Sequence, residues 1–129
     1  MKLSVETVAK ACDALTKSGI VDKNGEYDKE FKGYISAFGV AVVQMGLYPA
    51  LLIFEDESAN TKGDRSKLAK ALGFFLKETY PDTDKLSKHY ASLDEEERKL
   101  MQKRVNEALV ALKLALRIYK PKDEKIKRK

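Results

Sequence analysis

Apolar residues recur at spacings of three and four along most of the chain, the pattern that places side chains on one face of an α-helix. The first helix is predicted to follow Ser4, a favourable N-cap, and to end before Gly19, a residue type that favours the C′ position. Its apolar stripe consists of Val5, Val8, Cys12 and Leu15.

A second helix is predicted over residues 27–45, with Gly46 as the residue that stops it. Because residues 40–43 are apolar on every side, we expect this helix to be the most buried element of the fold. Its apolar and aromatic face consists of Tyr27, Phe31, Tyr34, Ile35, Phe38 and Val42.

A short third helix is predicted over residues 50–55, with Pro49 in its first turn. A strand over residues 51–54 is the alternative, although no other segment offers it a partner strand. Asp64 is the predicted cap of a fourth helix that ends at residues 80–82. The inner face of that helix consists of Leu68, Leu72, Phe75 and Leu76.

The last part of the chain predicts a short helix over residues 84–91 and a long one over residues 94–119, closed by Pro121. Ser92 and Glu95 have the spacing of a capping box at the start of the long helix. Its core face consists of Leu100, Val105, Leu109, Leu112 and Leu116. The predicted fold class is all-α: a compact single-domain bundle of about five to six helices over residues 1–119, followed by a flexible basic tail, 120–129.

Composition supports a globular protein, because 43% of the residues are apolar and 35% are charged. No apolar run approaches the roughly 20 residues that span a bilayer, and Cys12 is the only cysteine. We therefore expect a cytoplasmic protein without an internal disulfide. The formal net charge is +5, of which +4 belongs to residues 120–129, so a nucleic-acid-binding face in the body requires segregated charge.

Candidate chemistry is sparse. His89 is the only histidine and has no nucleophile motif beside it, so we interpret it as a surface residue. Cys12 lies on an apolar stripe, where we expect it to be a small buried hydrophobe. The acidic runs 55–57 and 94–97 do not converge on one ion, since consecutive helical residues diverge by about 100°. The sequence predicts no enzyme, no metal site and no cofactor.

Basic residues on two helix faces are the candidate RNA-binding residues. On the fourth helix they oppose the apolar face, and on the last helix they form part of a stripe with Lys99, Lys103 and Lys120. The candidates are Lys62, Arg65, Lys67, Lys70 and Lys77, with Lys113 and Arg117 as a second face. The alternative is that these residues form a solvent-exposed outer face that binds no RNA. The aromatic residues are predicted mostly on core faces and not as exposed stacking platforms.

The segments 34–38 (YISAF), 43–47 (VQMGL) and 49–54 (PALLIF) resemble the small subunit of the type III-B CRISPR effector, the Cmr complex. In that family a long helix ends in a polar-x-Gly-Leu element, and a short apolar helix ending near Phe follows. The later helices over residues 68–76 and 108–119 agree in spacing, so the resemblance covers essentially the whole chain.

The resemblance implies a non-catalytic subunit of a ribonucleoprotein that acts in antiviral defence. Such a subunit would stack with copies of itself in a minor filament, beside repeated backbone subunits, and would contact a Cas10-like large subunit. It would line the groove that holds guide RNA paired with target RNA, without reading sequence, because guide pairing supplies the sequence.

Three alternatives stay open at this point. The first is a helical protein–protein adaptor unrelated to RNA, in which the basic stripes are merely solvated. The second is the equivalent small subunit of a type III-A complex. The third is a metal-dependent hydrolase, which would need carboxylates from different helices to converge.

Overall fold

The computed structural model describes residues 3–57, 64–81 and 85–122 of the chain. Helices dominate these residues, and the predicted all-α bundle is confirmed. In chain order the elements are α1 (Val5–Lys17), β1 (Glu26–Tyr27), α2 (Glu30–Met45), α3 (Leu47–Glu55), α4 (Ser66–Phe75), α5 (Leu86–Ser92), α6 (Glu95–Ala115), a 3-10 turn (Leu116–Ile118) and β2 (Lys120–Pro121).

Helix α1 has the predicted ends. The Oγ of Ser4 accepts a hydrogen bond from the backbone N–H of Thr7 at 3.1 Å, and Gly19 adopts a φ of 88° after the last turn. The predicted stripe is confirmed in part: Leu15 is buried, and Val8 and Cys12 are partly buried against the core, but Val5 is 82% exposed. The buried face also includes Ala11 and Ala14, which the prediction did not name. Helix α1 packs against both α4 and α6. The side of α1 that carries Ala11 and Ala14 is therefore the side that these two helices cover.

Helix α2 begins at Glu30, three residues later than predicted, because Tyr27 is buried as part of β1. Gly46 ends it as predicted, with a φ of 95° and its N–H donating to the carbonyl of Val42 at 2.9 Å. The expectation that this helix is the most buried element is wrong. Its outer side carries Val40 and Val43, and Val43 is 86% exposed.

Helix α3 is helical from Leu47, so the strand alternative for residues 51–54 is excluded. At the start of α4, the carboxylate of Asp64 accepts hydrogen bonds from the N–H and the hydroxyl of Ser66. Asp64 therefore stabilises this helix start as predicted, although the N-cap position itself is Arg65.

Helix α6 is capped two residues later than predicted. Asp94 accepts a hydrogen bond from the N–H of Glu97 at 2.9 Å, and Glu97 accepts one from the N–H of Asp94 at 3.3 Å. Ser92 instead belongs to α5 and donates to the carbonyl of His89. The predicted core face is confirmed at four of its five positions, and only Leu100 is wrong, since it is exposed while its neighbour Met101 is buried. The confirmed residues are Val105, Leu109, Leu112 and Leu116.

Helix α6 packs against α1, α2 and α4, and it thereby connects the elements that surround the core. The rings of Phe38 and Phe54 meet edge to face, with centroids 5.0 Å apart, and this contact joins α2 to α3. The largest fully buried side chains are Tyr27, Phe31, Phe38, Leu15, Leu47, Leu51, Leu68, Leu72, Met101, Leu112, Leu116 and Val105.

The start of the predicted basic tail is attached to the domain. Strand β2 pairs in parallel with β1: the N–H of Lys120 donates to the carbonyl of Gly25, and that of Lys122 donates to the carbonyl of Tyr27. The ammonium group of Lys122 also lies 3.9 Å from Asp22. The remainder of the tail, 123–129, lies outside the described residues.

A buried carboxylate connects α3 to α5. Glu55 is only 7% exposed, and its two oxygens accept hydrogen bonds from the N–H and the hydroxyl of Ser87, at 3.1 and 2.5 Å. Ser87 is the second residue of α5, so Glu55 satisfies a backbone N–H that the helix itself leaves without a partner. This contact fixes α5 against α3.

We expect the substitution Glu55→Gln to lower the free energy of unfolding by about 1.5–3 kcal/mol, because the amide lacks the charge and one of the two oxygens that accept hydrogen bonds from Ser87. Urea denaturation of the purified protein measures this change. Glu57→Gln is the matched control, since Glu57 is exposed and its ion pair with Lys70 should contribute less than about 1 kcal/mol. Equal destabilisation by both substitutions would contradict the role of Glu55.

The side chain of Asp22 organises the turn that receives β2. Its Oδ1 accepts hydrogen bonds from the N–H groups of Glu26, at 3.0 Å, and Asn24, at 2.9 Å. The hydrogen bond from Glu26 holds the pKa of Asp22 below its ordinary value of 3.8. The N–H of Asn24 and the charge of Lys122 act in the same direction.

Because the pKa of Asp22 is lower in the folded state, its charge stabilises the fold above pH 3.8 and this contribution disappears as the pH falls through the folded pKa. We therefore expect Asp22→Asn to be less stable than the unsubstituted protein at neutral pH. The difference should shrink once the pH is well below 3.8. Chemical denaturation at a series of pH values tests this, and a difference that stays constant across the series would refute it.

Candidate RNA-binding and protein-contact surfaces

The predicted basic residues of α4 occupy different positions around the helix. Arg65 is half-buried, and its guanidinium lies over the ring of Phe54, 5.0 Å from the centroid. Lys67 lies over Gly19, with its Cε 3.7 Å from the place that a Cβ atom of Gly19 would occupy. Both side chains therefore contribute to packing against neighbouring elements. Lys62 lies outside the described residues.

Lys70 and Lys77 are exposed on the outer side of the same segment. Phe74 lies between them in the chain and is 39% exposed, which is unusual for a side chain of this size. We call Lys70, Phe74 and Lys77 the α4 ridge. The Nζ of Lys70 lies 3.6 Å from a carboxylate oxygen of Glu57, an exposed ion pair that an incoming phosphate can replace at small cost.

Phe74 is a residue that sequence reasoning missed. The prediction placed the aromatic residues mostly on core faces and did not name Phe74, which is four residues after Lys70 and therefore on the same side of the helix. Its exposure puts an aromatic group between two cations, an arrangement that binds nucleic-acid bases and phosphates together. The position of Phe74 nearly opposite Leu72 on the helical wheel is the signal that identifies it from sequence.

The second predicted face, on α6, mixes basic and apolar side chains. Lys113 donates to the hydroxyl of Ser36 at 3.4 Å and so reaches across to α2. Arg117 is exposed in the 3-10 turn that follows α6. Val110, which precedes Lys113, and Leu114, which lies between Lys113 and Arg117 in the chain, are also exposed. Lys113 contacts Ser36 on α2, whereas Lys70 contacts Glu57, just after α3. The two lysines therefore have no contact partner in common.

An uncharged surface lies on α2. Residues 33–54 contain no charged side chain, although 35% of the whole chain is charged. Much of this segment is nevertheless exposed. We call its solvent-facing part on α2 the α2 outer face, and it consists of Gly33, Ala37, Val40, Val43, Gln44 and Met45. Contiguous exposed apolar surface of this kind marks contact sites for other macromolecules.

A second apolar surface lies beside α1. A groove of about 540 Å³ is bounded by side chains of α1 and by the 3-10 turn, with Val5 and Ile118 strongly exposed at its edge. Cys12 lies half-buried in its wall, so it is less covered than predicted. Burial and a hydrogen bond with Cys12 raise the pKa of the neighbouring Tyr119 above its ordinary value of 10.0.

The residues considered for catalysis make contacts that stabilise the fold. The Nε2 of His89 lies 3.0 Å from the carbonyl oxygen of Pro81, in an exposed position. Glu55, the first residue of one acidic run, is bound to Ser87, and Asp94 and Glu97 of the other cap α6. Within the described ranges, no three His, Cys, Asp or Glu side chains are grouped as they would be around a metal ion. The helices described also include none long and apolar enough to span a membrane.

Fold and surfaces together define a class of protein: a small helical bundle with basic positions on some faces and uncharged apolar surface on others. The family model of the CRISPR-associated protein Cas_Cmr5 matches residues 6–118, and the chain therefore belongs to the Cas_Cmr5 family. The predicted resemblance is confirmed, and the chain is a small subunit of the type III-B CRISPR effector, the Cmr complex. No curated protein and no solved structure matches the chain.

Proposed function

We propose that this chain is a non-catalytic structural and RNA-binding subunit of the Cmr ribonucleoprotein. It stacks in the minor filament and supports the binding of guide RNA to target RNA in antiviral defence. Membership in the Cas_Cmr5 family supports the assignment to the complex. The observation that carries the finer proposal is that exposed cations and uncharged exposed surface lie on different elements, in the α4 ridge and the α2 outer face.

Protein contacts are assigned to the apolar surfaces. A filament of identical subunits needs two different patches on each copy, because the contact is head to tail. The α2 outer face and the groove beside α1 are two such patches, on different helices. Val43 and Val5 are the most exposed large apolar side chains of the two patches. Backbone subunits and the Cas10-like large subunit are the further partners in this proposal.

RNA contacts are assigned first to the α4 ridge. Lys70 on α4 and Lys77 in the turn that follows this helix are both exposed, and each can neutralise a phosphate. Arg65 and Lys67 hold the helix against its neighbours and bring this ridge to the surface. Lys113 and Arg117 form a second candidate face on α6. Binding of this kind does not read sequence, which agrees with a complex in which guide pairing does so.

Catalysis belongs to other subunits in this proposal. Three carboxylates of the two acidic runs serve as helix caps here: Glu55 at Ser87, and Asp94 and Glu97 at the start of α6. The protein is assigned no cofactor of its own, and its site of action is the cytoplasm.

Replacing Lys70 and Lys77 together by Glu should weaken binding to a guide–target RNA duplex, because the lost phosphate contacts no longer release counterions. The slope of log K against log[salt] should flatten by about 0.7–0.9 per lost contact. Fluorescence anisotropy at several salt concentrations measures both quantities. Lys67 is left unchanged in this variant because it packs over Gly19.

The matched control for this variant is Lys23→Glu with Lys32→Glu, which changes the net charge equally at two exposed lysines outside α4. The proposal requires the control to retain most of the affinity. Equal weakening in both double variants would show that net charge alone attracts RNA, and it would remove the α4 ridge from the interface.

Replacing Val40 and Val43 by Glu should prevent assembly without unfolding the subunit, because both side chains already face solvent. The free energy of unfolding is expected to stay within about 0.5 kcal/mol per substitution. The measurement is affinity purification of the tagged variant from its native host, with identification of the proteins and RNAs that accompany it. The unsubstituted protein should recover a Cas10-like subunit, backbone subunits and short guide RNAs.

Leu100→Glu is the control, since Leu100 is exposed near the start of α6 and lies outside both apolar patches and both candidate RNA-binding faces. It should leave the recovered complex unchanged. Full assembly of the Val40 and Val43 variant would remove the α2 outer face from the interface. Recovery of one protein partner without RNA by the unsubstituted chain would instead favour the adaptor alternative.

A further inference from the structure

A cavity of about 590 Å³ opens between α3 and α5. Its volume lies within the range of roughly 300–1,000 Å³ that is usual for pockets that bind small ligands. We call it the α3–α5 cavity. It is lined by Tyr48, Leu52, Glu55, Asp56, Lys85, Ser87, Lys88 and Ala91.

One wall of the cavity is the ring of Tyr48, whose orientation is fixed by stacking on a second ring. The ring of Tyr48 stacks on that of Tyr90, with centroids 5.6 Å apart and an angle of 17° between the planes. Arg98 lies over Tyr90, 5.0 Å from its centroid, and donates hydrogen bonds to the carbonyls of Tyr90 and Ala91 at 3.0 Å each. Tyr90 is therefore fixed from α6, and Tyr48 rests against a rigid support.

Tyr48 remains 39% exposed despite this stacking, so part of its ring is open to a ligand. Leu52, one helical turn later, provides an apolar surface beside the ring and is also exposed. A flat aromatic group can lie against this wall and cover apolar surface that the protein leaves in water.

Charged side chains of both signs line the cavity beside this wall. Lys85 and Lys88 are exposed, just before α5 and on it, and the two carboxylates are those of Glu55 and Asp56. The oxygens of Glu55 accept two hydrogen bonds from Ser87, and Asp56 has an interaction partner of its own. The aromatic wall and the two lysines together match a base and its phosphate.

We infer that the α3–α5 cavity binds one nucleotide of single-stranded RNA. The base stacks on Tyr48 beside Leu52, and Lys85 and Lys88 bind the adjoining phosphates. A duplex is not a suitable ligand because its bases are already stacked on one another, whereas an unpaired base can enter the cavity. This inference rests on the proposed RNA-binding function and adds a site separate from the α4 ridge.

The test compares two labelled oligonucleotides of the same length, oligoadenylate and its abasic counterpart, which carry equal charge. The unsubstituted protein should bind oligoadenylate about 5- to 100-fold more tightly, because only that strand offers a base for stacking. Tyr48→Ala should abolish this preference, whereas Tyr48→Phe should retain it because the ring is kept. Replacing Lys85 and Lys88 by Gln should weaken binding of both strands to a similar degree.

Tyr48→Leu is a second variant that keeps an apolar side chain on α3, and thermal denaturation checks that each variant is folded. A preference that survives in folded Tyr48→Ala or Tyr48→Leu, or that is lost in Tyr48→Phe, would overturn the inference. The two hypotheses can fail separately. If the folded Tyr48→Ala variant still prefers oligoadenylate while the Lys70 and Lys77 variant loses duplex binding, the cavity is excluded as an RNA-binding site and the proposed function stands. No binding of either RNA by the unsubstituted protein would overturn both.

Discussion

Close packing of α1, α4 and α6 through alanine is the constraint on which the rest of the fold depends. These three helices contact one another, and small side chains at their contacts allow the backbones to approach. Larger side chains at these positions would separate the helices and open the core. The buried alanines are Ala11 and Ala14 on α1, Ala71 on α4, and Ala108, Ala111 and Ala115 on α6.

The position of α6 decides which surfaces remain exposed. Because α1, α2 and α4 all pack on this one helix, each contributes a single face to the core. Helix α2 covers Phe31, Ile35 and Phe38, and it leaves Val40 and Val43 in water. Apolar side chains exposed on such a face are unfavourable in water, and the free energy falls when another macromolecule covers them. A subunit of a larger assembly has this property, whereas a protein that acts alone rarely does.

Cationic and aromatic groups form the two surfaces to which RNA contacts are assigned in the proposed function. The α4 ridge presents Lys70 and Lys77 around an exposed Phe74, and the α3–α5 cavity presents Tyr48 beside Lys88. Neither arrangement requires a chemical step by the subunit itself. Buried polar groups such as Glu55 are used to fix helices in place, so that the surfaces between those helices are rigid.

Local features of the sequence predicted the helices and several of their ends. Ser4, Gly19 and Gly46 act within one turn of chain, and their roles in the structure are those expected from their residue types. The family, too, could be inferred from short segments such as 49–54, since residues 6–118 match its model. The capping box was displaced by two residues because Ser92 and Asp94 have equivalent capping chemistry.

The sequence by itself thus determined the all-α class, the order of the helices and the family of this protein, because spacing, caps and motifs are properties of neighbouring residues. Only the tertiary structure decided which apolar residues are covered, as Val43 and Leu100 show. Only it brought Glu55 to Ser87 and Tyr48 to Tyr90, since these pairs are far apart in the chain. The physical reason is that burial and contacts of this kind depend on how helices pack against one another. The periodicity of residues within one helix carries no information about that packing.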